Sequence, residues 1–449
     1  MKNYRNAPLA SKRMPDGIPY IIANEAAERF SFYGMRAILT IYMTTYLLNS
    51  EGTLDVMSEN QAKTYFHLFV FAVYFFPIVG ALLADKFWGK FKTIILLSII
   101  YCMGHFALAL DETRVGLLIG LILIAIGSGG IKPCVSANVG DQFGETNGHL
   151  ISKAFGWFYF AINLGAFSST LLTPLLLEQY GPHIAFGIPG IFMLLATIVF
   201  WWGRFKFVHI PPKNIDLKKE FFKKENRKNL ISILTIFLFV SIFWSLFDQT
   251  GSSWVLQAKK MDRNFLGNEW RSSQIQAMNP VLILVLTPLF HYFLYPRINN
   301  IISFTQLRRI LVGFFIAALA FFQISLIESW IQSGLVVNIS WQLLAYVTIT
   351  VAEILISITC LEFFYTKAPI KIKSLIMSIF LLSIALGNAI TSFINFLMQE
   401  EYGVIHLNDV QYFQFFACLM LITAILFIPI TNKMKMRTHI QKESKHAVR

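Results

Sequence analysis

Four charged residues lie close together near the start of the chain, in the segment NEAAERFSFYGMR at residues 24–36. At intervals of three and four residues, an α-helix places six side chains of this segment on one stripe, namely Glu25, Glu28, Arg29, Phe32, Tyr33 and Arg36. On insertion scales, each charge at the centre of a membrane helix costs about 2.5–3.5 kcal/mol. The stripe is therefore expected to face a protein interior or water, with side chains that are functional or paired with one another.

The composition of the whole chain indicates an integral membrane protein. Of its 449 residues, 55% are hydrophobic and 14% are charged, and the mean hydropathy is +0.58. Apolar runs of about 20 residues, the length that crosses a bilayer as a helix, are centred near residues 33, 73, 102, 126, 165, 193, 240, 284, 317, 352, 384 and 420. These runs predict an all-α membrane protein with twelve transmembrane helices.

The basic residues predict how the chain is oriented. There are 38 Lys and Arg residues against 25 Asp and Glu, a formal net charge of +13. Most basic residues fall before helix 1, after the even-numbered helices and after helix 12, which puts both termini in the cytoplasm by the positive-inside rule. The loop after helix 7 is an exception, with Lys259, Lys260, Arg263 and Arg271. The excess positive charge is therefore explained by the orientation of the chain in the lipid bilayer of a plasma or inner membrane, and no nucleic-acid partner is expected.

The longest hydrophilic stretch inside the chain divides the sequence into two halves. We predict an N-terminal six-helix bundle at 1–202, a basic cytoplasmic linker at 203–228, a C-terminal six-helix bundle at 229–432 and a basic cytoplasmic tail at 433–449. This layout is that of the major facilitator superfamily, and GALLADKFWGKFKTI resembles the loop motif of that superfamily between helices 2 and 3. The other loops are too short for a soluble catalytic domain, so an enzyme is not expected.

Further polar residues within the apolar runs sort into two layers when depth is counted at ~1.5 Å per residue from the helix ends. Arg36, His67 and Asp248 fall in the outer third and are expected to form a gate. Lys132 and Glu353 come from different halves at depths of ~25 and ~20 Å, so they are expected to form an ion pair. Static ion pairs that hold helices together remain the alternative for the whole set.

Several segments resemble the proton-coupled oligopeptide transporters, a branch of the major facilitator superfamily. EAAERFSFYG resembles the helix 1 motif E-x-x-E-R-F-x-Y-Y-G of that family, with Phe32 in place of the first Tyr. GSGGIKPCVSANVGDQF resembles its helix 4 signature, with Asn138 and Val139 in place of Phe-Gly. Further matches are FYFAINLGAF, FWSLFDQTGSSWVLQA, QAMNP and AEILISITCLEF, in helices 5, 7, 8 and 10. The resemblance therefore covers both halves of the chain.

The resemblance implies roles for these residues. Proton coupling would involve Glu25, Glu28, Arg29, His67, Lys132 and Glu353. Substrate binding would involve Arg29, Tyr33, Tyr74, Lys132, Asn163, Trp244, Asn279, Glu353 and Phe380. Among these, Arg29 and Lys132 would receive a peptide carboxylate. The amino end of the peptide would be received by Asn163, Asn279 and Glu353.

The gate implied by the resemblance consists of Arg36, His67 and Asp248. Once protonated, His67 would offer Asp248 a second cation and weaken the hold of Asp248 on Arg36. Two other histidines, His105 and His291, lie near predicted helix ends and are expected to be structural.

The implied function is proton-coupled import of di- and tripeptides by alternating access. Such a symporter would work as a monomer, driven by the proton gradient without a cofactor, and no spacing of cysteines or histidines indicates a metal site. The same fold carrying another small solute, such as an amino acid, nitrate or a peptide-like drug, is the main alternative. A non-transporting sensor is a further one.

Overall fold

The computed structural model describes residues 4–212, 227–367, 373–399 and 404–433. Six long helices build its N-terminal half: α1 (Ile18–Thr45), α2 (Glu59–Leu83), α3 (Lys90–Leu110), α4 (Arg114–Asp141), and α5 and α6, which together occupy Ile151–Trp202. A π-helical turn at Ala84–Trp88 follows α2, and short 3-10 turns lie at Gly148–Leu150 and Gly203–Phe205.

Helices α5 and α6 are separated by Gly181, directly before Pro182. The φ of Gly181 is 79° and its ψ is 179°, a conformation that glycine adopts readily and other residues do not. The residue therefore ends α5 at 180 and lets α6 begin at 182.

The C-terminal half also has six long helices: α7 (Arg227–Phe247), α8 (Met278–Leu289), α9 (Gln306–Gln332), α10 (Ser340–Glu353), α11 (Lys373–Leu397) and α12 (Asp409–Lys433). Three of them change helical form. A 3-10 turn at Asp248–Gly251 and a short helix at Ser253–Lys259 continue α7. A 3-10 turn at Ser272–Ala277 precedes α8, and a π-turn at Phe290–Leu294 and a short helix at Tyr295–Asn299 follow it. A π-turn at Ile354–Ile358 and a short helix at Thr359–Lys367 follow α10.

Ten segments of the described chain are long and apolar enough to cross a membrane. One of them contains both α5 and α6. Helix α1 is 28 residues long but is absent from this set, because Glu25, Glu28, Arg29 and Arg36 give it more charge than an ordinary span carries. The prediction of twelve membrane helices is therefore confirmed.

Each half of the molecule has its own apolar core. Buried side chains between Ile18 and Phe207 form one cluster, and those between Leu230 and Phe427 form the other. Within the halves, α1 packs against α5 and α6, α3 against α4, and α9 against α12. Between the halves, the largest helix contact is that of α2 with α11. The two bundles are therefore separate packing units that share a polar interface.

The two ends of the helix bundle differ in what they carry. We call the end at which the chain begins the terminal face, and the opposite end the distal face. At the terminal face, Arg5 forms a parallel bridge with Val208 after α6, and Lys90 Nζ lies 2.5 Å from Asp141 Oδ2. Residues 213–226 of the predicted linker and 434–449 of the predicted tail lie outside the described residues.

The distal face carries a small β-hairpin between α7 and α8. Its strands, β1 (Asn264–Phe265) and β2 (Asn268–Glu269), pair antiparallel. Just before β1, Asp262 accepts hydrogen bonds from the Asn264 backbone and the Asn338 side chain, which lower the pKa of its carboxyl. The hairpin is thereby attached to the loop between α9 and α10.

Candidate substrate and proton site

The charges near the middle of α1 are paired with one another. Arg29 Nε lies 2.7 Å from Glu25 Oε1 and 3.0 Å from Glu28 Oε2. All three residues are at most 9% exposed, and the four-residue interval from Glu25 to Arg29 brings the two side chains together on one helix surface. Two carboxylates around one guanidinium leave a net negative charge, which one proton would neutralise.

Lys132 of α4 is a buried cation that rests on aromatic rings. Its Nζ lies 4.0 Å from the ring centroid of Phe32 and 4.6 Å from that of Tyr74. Among the described residues this nitrogen has no hydrogen-bond partner. A desolvated cation–π contact contributes roughly 2 kcal/mol, which is less than a buried ammonium loses on leaving water. Lys132 is therefore placed to bind an anion.

Glu353 of α10 is held by a neighbouring helix of its own half. Its Oε2 accepts a hydrogen bond of 2.6 Å from Asn279 Nδ2, and the same amide nitrogen lies 3.1 Å from Thr350 Oγ1. The π-turn of α10 begins at the next residue, and such turns within α-helices are frequent at functional sites. The predicted Lys132–Glu353 ion pair is wrong for this conformation, because each charge has other neighbours.

Three more of the predicted substrate residues lie near these charges in the N-terminal half. Tyr74 of α2 packs against the apolar cores of both halves. The Tyr33 ring meets the Phe32 ring edge-on at 5.4 Å between centroids. Asn163 of α5 donates a hydrogen bond of 2.9 Å from its side chain to the Tyr159 carbonyl, within the same helix. The carbonyl oxygen of the Asn163 amide is thus the part left to bind a ligand.

The two remaining predicted substrate residues are packed inside the C-terminal half. Trp244 of α7 is 6% exposed, and its Nε1 has no hydrogen-bond partner among the described residues. Phe380 of α11 is 3% exposed and meets the Phe364 ring at 5.5 Å between centroids. In this conformation both rings belong to the apolar core, so contact with a ligand would require the core to open at these positions.

The predicted gate residues are linked through an asparagine that the sequence reasoning missed. Arg36 Nη2 lies 2.5 Å from Asp248 Oδ1, and Asn388 Nδ2 of α11 donates to Asp248 Oδ2 at 2.7 Å. Because the Asn388 amide nitrogen donates to Asp248, its oxygen accepts from His67 Nδ1, also at 2.7 Å. His67 Nε2 lies 2.9 Å from Ser252 Oγ. In this structure an amide therefore separates His67 from Asp248, and their pairing once His67 is protonated stays a prediction.

Both missed residues carried a signal in the sequence. Asn388 stands alone among apolar residues in ALGNAI, and a lone polar residue in a membrane helix is usually paired or functional. Ser252 follows Gly251 in QTGSSW, where α7 is broken: its φ is −128° and its ψ is −90°. Helices α1, α2 and α11 thus supply Arg36, His67 and Asn388. The 3-10 turn after α7 supplies Asp248, and the break that follows this turn supplies Ser252.

A series of hydrogen bonds joins described residues of the two halves from the gate outward to the distal face. Besides the gate contacts, the paired residues are Thr40 with Gly251, Asn60 with Met398, Thr64 with Ser392 and with Gln399, Thr45 with Lys259, Glu178 with Arg271, Leu171 with Gln274, and Ala37 with Gln276. The distal side of the interface is therefore closed in this structure.

Comparison with known proteins identifies the family. The profile of PTR2, the POT family, matches residues 91–224 and 214–411. The chain belongs to the POT family. Two solved structures of POT-family proteins have the same fold. One is described as an auto-inhibited POT family peptide transporter; it is 32% identical with a TM-score of 0.88, and the match covers 96% of this chain and 99% of that one. The other is the POT family transporter PepTSo, which is 35% identical with a TM-score of 0.86, and the match covers 94% of this chain and 98% of that one. The fold is that of the major facilitator superfamily.

Curated proteins from animals also match this chain. "Peptide transporter family 1" of Drosophila melanogaster is 37% identical over 355 residues, which cover 69% of this chain and 47% of that protein. "Solute carrier family 15 member 2" of Homo sapiens is 35% identical over 364 residues, 70% of this chain and 49% of that protein. The chain thus spans about half the length of the curated relatives it matches. The POT family is a family of multi-pass membrane transporters and not of enzymes.

Proposed function

We propose that this protein is a proton-coupled symporter that imports di- and tripeptides by alternating access. The observation that carries the proposal is the buried ammonium of Lys132, which lies beside the α1 charges and has no hydrogen-bond or ion-pair partner among the described residues. A zwitterionic peptide would direct its carboxylate to Lys132 and Arg29 and its ammonium to Glu353, in the other half. Because these contacts join the two halves, a bound peptide would favour closure around itself.

Proton coupling in this proposal centres on the α1 charges. When a peptide carboxylate attracts Arg29, the carboxylates of Glu25 and Glu28 lose their nearest cation, and protonation of one of them becomes favourable. A membrane potential of about 100 mV adds roughly 2.3 kcal/mol for each proton moved inward. His67 would respond to acid on the distal side. The proton gradient would therefore supply the driving force without a cofactor.

The remaining residues complete the proposed cycle. Tyr33, Tyr74, Asn163 and Asn279 would line the peptide site, and Trp244 and Phe380 would border it once their packing loosens. Opening of the Arg36–Asp248 gate would admit peptide from the distal side. The terminal face would lie in the cytoplasm of a cell bounded by a plasma or inner membrane, and one chain would suffice for transport.

Uptake into proteoliposomes tests the proposal. We expect an inward proton gradient to accelerate uptake of labelled dialanine, and unlabelled dialanine inside the vesicles to support counterflow without a gradient. Alanine and nitrate serve as competing solutes in matched assays. Uptake of dialanine that is no faster with the gradient would disprove the coupling. Counterflow of alanine or nitrate in place of dialanine would assign the fold to another solute.

A further inference from the structure

Helix α1 carries a second polar stripe, which faces away from the proposed peptide site. Asn24, Glu28 and Ser31 follow one another at intervals of four and three residues, so they share one side of the helix. Asn24 Nδ2 donates to the Ala196 carbonyl of α6 at 3.0 Å, and Ser31 Oγ lies 2.7 Å from His105 Nε2 of α3. Glu28 lies between these two contacts and therefore faces the interior of the N-terminal half.

The α3 side of this interior is also polar. The rings of Tyr101 and His105 are stacked, with 5.1 Å between centroids and 25° between planes. Tyr101, His105 and Glu28 are at most 1% exposed. Among the described residues, the Tyr101 hydroxyl, His105 Nδ1 and Glu28 Oε1 have no hydrogen-bond partner, whereas Glu28 Oε2 forms the ion pair with Arg29. These unpartnered atoms belong to the surfaces of α1 and α3 that the Ser31–His105 hydrogen bond brings together.

A dry interior would be unfavourable for these groups. A buried polar group without a partner is costly, and protein interiors normally satisfy such groups with water that makes two to four hydrogen bonds. The Ser31–His105 hydrogen bond fixes one wall of the region and the ring stack fixes a second. The region has the polar partners that an internal water requires.

We propose that Glu28, Ser31, Tyr101 and His105 enclose an internal water site that solvates the Glu28 carboxyl from the side opposite the peptide. Water donates a hydrogen bond to the ionised carboxylate and accepts one from the protonated acid, so both forms are solvated. The charged groups that face Glu28 are Glu25 and Arg29 on α1 and Lys132 on α4. The α3 wall adds only the neutral Tyr101 and His105.

The role of this water in proton coupling depends on the proposed function. When Arg29 turns to the peptide carboxylate, the water would remain hydrogen-bonded to Glu28. Glu28 could therefore gain or lose a proton while the peptide is still bound. His105 and Ser31 are positioning residues in this account, since neither touches the peptide. This role is added to the structural one that the sequence predicted for His105.

Infrared difference spectroscopy of the purified protein tests the water site without any transport measurement. The C=O stretch of protonated Glu28 is identified as the band lost in Glu28→Gln. We expect that band to move to higher frequency in His105→Phe, which removes the polar wall and fills its volume. His105→Gln, whose amide can still hydrogen-bond to Ser31 and to water, should keep the wild-type frequency.

Two further variants keep the test decisive if His105→Phe does not fold. Ser31→Ala is smaller than the original residue and should shift the band in the same direction. His291→Phe alters an exposed histidine of the π-turn after α8 and should leave it unchanged. An identical frequency in wild type, His105→Phe and Ser31→Ala would overturn the site, as would the absence of any band that Glu28→Gln removes.

Transport separates this inference from the function on which it depends. We expect His105→Phe to reduce gradient-driven dialanine uptake about tenfold, the effect of one charge-assisted hydrogen bond on a rate, and His105→Gln to restore it. Counterflow should continue in both variants. If the wild type does not transport dialanine, the proposed function fails while the infrared band still reports on the water. If driven uptake in His105→Phe equals wild type, the water has no part in coupling.

Discussion

At the scale of single residues, the distribution of charge between the two halves is unequal. Around the proposed peptide site, the N-terminal half supplies Glu25, Glu28, Arg29 and Lys132, whose Nζ has no hydrogen-bond partner among the described residues. The C-terminal half supplies Glu353 with its amide neighbour. A buried charge that has lost its partner is strongly unfavourable. The unequal distribution therefore favours a ligand that brings an anion to one half and a cation to the other.

The first prediction concerns the charges on either side of the peptide site. We expect Lys132→Ala and Glu353→Ala each to abolish driven dialanine uptake, because each removes the group that receives one end of the peptide. The measurement is gradient-driven uptake into proteoliposomes, with expression and thermal unfolding as checks on folding. Wild-type uptake in both variants would remove these residues from the site.

A matched control is available in the same half. Lys63 of α2 is also a buried lysine next to an aromatic ring, with its Nζ 4.7 Å from the Tyr412 centroid, but it lies in the first turn of α2 at the distal face. Lys63→Ala should therefore leave the affinity for dialanine close to that of wild type. A loss of affinity equal to that in Lys132→Ala would mean that any buried lysine is required for folding.

The second prediction concerns Asn388. Replacing it by Leu leaves His67 Nδ1 and Asp248 Oδ2 buried without this partner, and each such group costs about 1–3 kcal/mol. We expect Asn388→Leu to lower the thermal stability and to open the distal side. Opening is measured as faster labelling of Thr40→Cys, a position whose hydroxyl bonds across the interface to Gly251, by an impermeant maleimide.

A second asparagine of α11 provides the control for this prediction. Asn395 lies two helical turns further on and donates to the Thr391 carbonyl of its own helix at 2.8 Å. Asn395→Leu removes a buried amide without breaking a described hydrogen bond between the halves. Equal labelling of Thr40→Cys in the Asn388 and Asn395 variants would show that Asn388 has no special part in closure.

Single residues also show how far the sequence could predict the site. The contact of Glu25 with Arg29 follows from a four-residue interval on a helix, and the common depth of Arg36 and Asp248 follows from counting residues along ideal helices. The same count gives no information on how each helix is rotated relative to the others. This is why it did not find Asn388 between His67 and Asp248.

At the scale of helices, irregular turns place the polar groups. The 3-10 turn after α7 begins at Asp248, and the break at Ser252 brings the Ser252 hydroxyl to His67. The π-turn of α10 directly follows Glu353. Hydropathy predicted where these helices lie but not where their form changes, because such changes are settled by contacts with other helices.

The third prediction tests the close approach of α2 and α4. A Cβ atom added at Gly80 would lie 2.4 Å from Gly130 Cα and 2.5 Å from its carbonyl oxygen, so Gly80→Ala forces two backbones apart. Overpacking of this kind costs about 1–3 kcal/mol. We expect a lower midpoint of thermal unfolding in detergent at a fixed scan rate.

Gly187 of α6 is the control, because a Cβ atom there would meet nothing within 4 Å. Inside a helix, alanine is favoured over glycine by roughly 1 kcal/mol. Gly187→Ala should therefore raise the midpoint slightly or leave it unchanged. If the two variants shift it equally, the close contact of α2 with α4 has no energetic weight.

At the scale of the whole molecule, the closed distal side is one state of an interface that must open for alternating access. The cross-half contacts there are hydrogen bonds and ion pairs between facing helices, each of modest net strength in isolation. A sequence that supports two states contains the contacts of both. The arrangement of the two bundles was therefore predictable from twelve apolar runs and one linker, whereas the state in this structure was not.

The last prediction is that holding the distal side closed stops transport. Ser392 Oγ of α11 donates to the Thr64 carbonyl of α2 at 2.9 Å, so these two residues are in contact across the interface and are the positions for a pair of cysteines. In a background without the native cysteines, we expect oxidation of Thr64→Cys/Ser392→Cys to abolish both driven uptake and counterflow, because each needs the peptide site to reach both faces. Reduction should restore both activities, and each single cysteine variant should be insensitive to the oxidant. Full counterflow in protein whose cross-link is verified by mass spectrometry would mean that α2 and α11 do not separate at this level during transport.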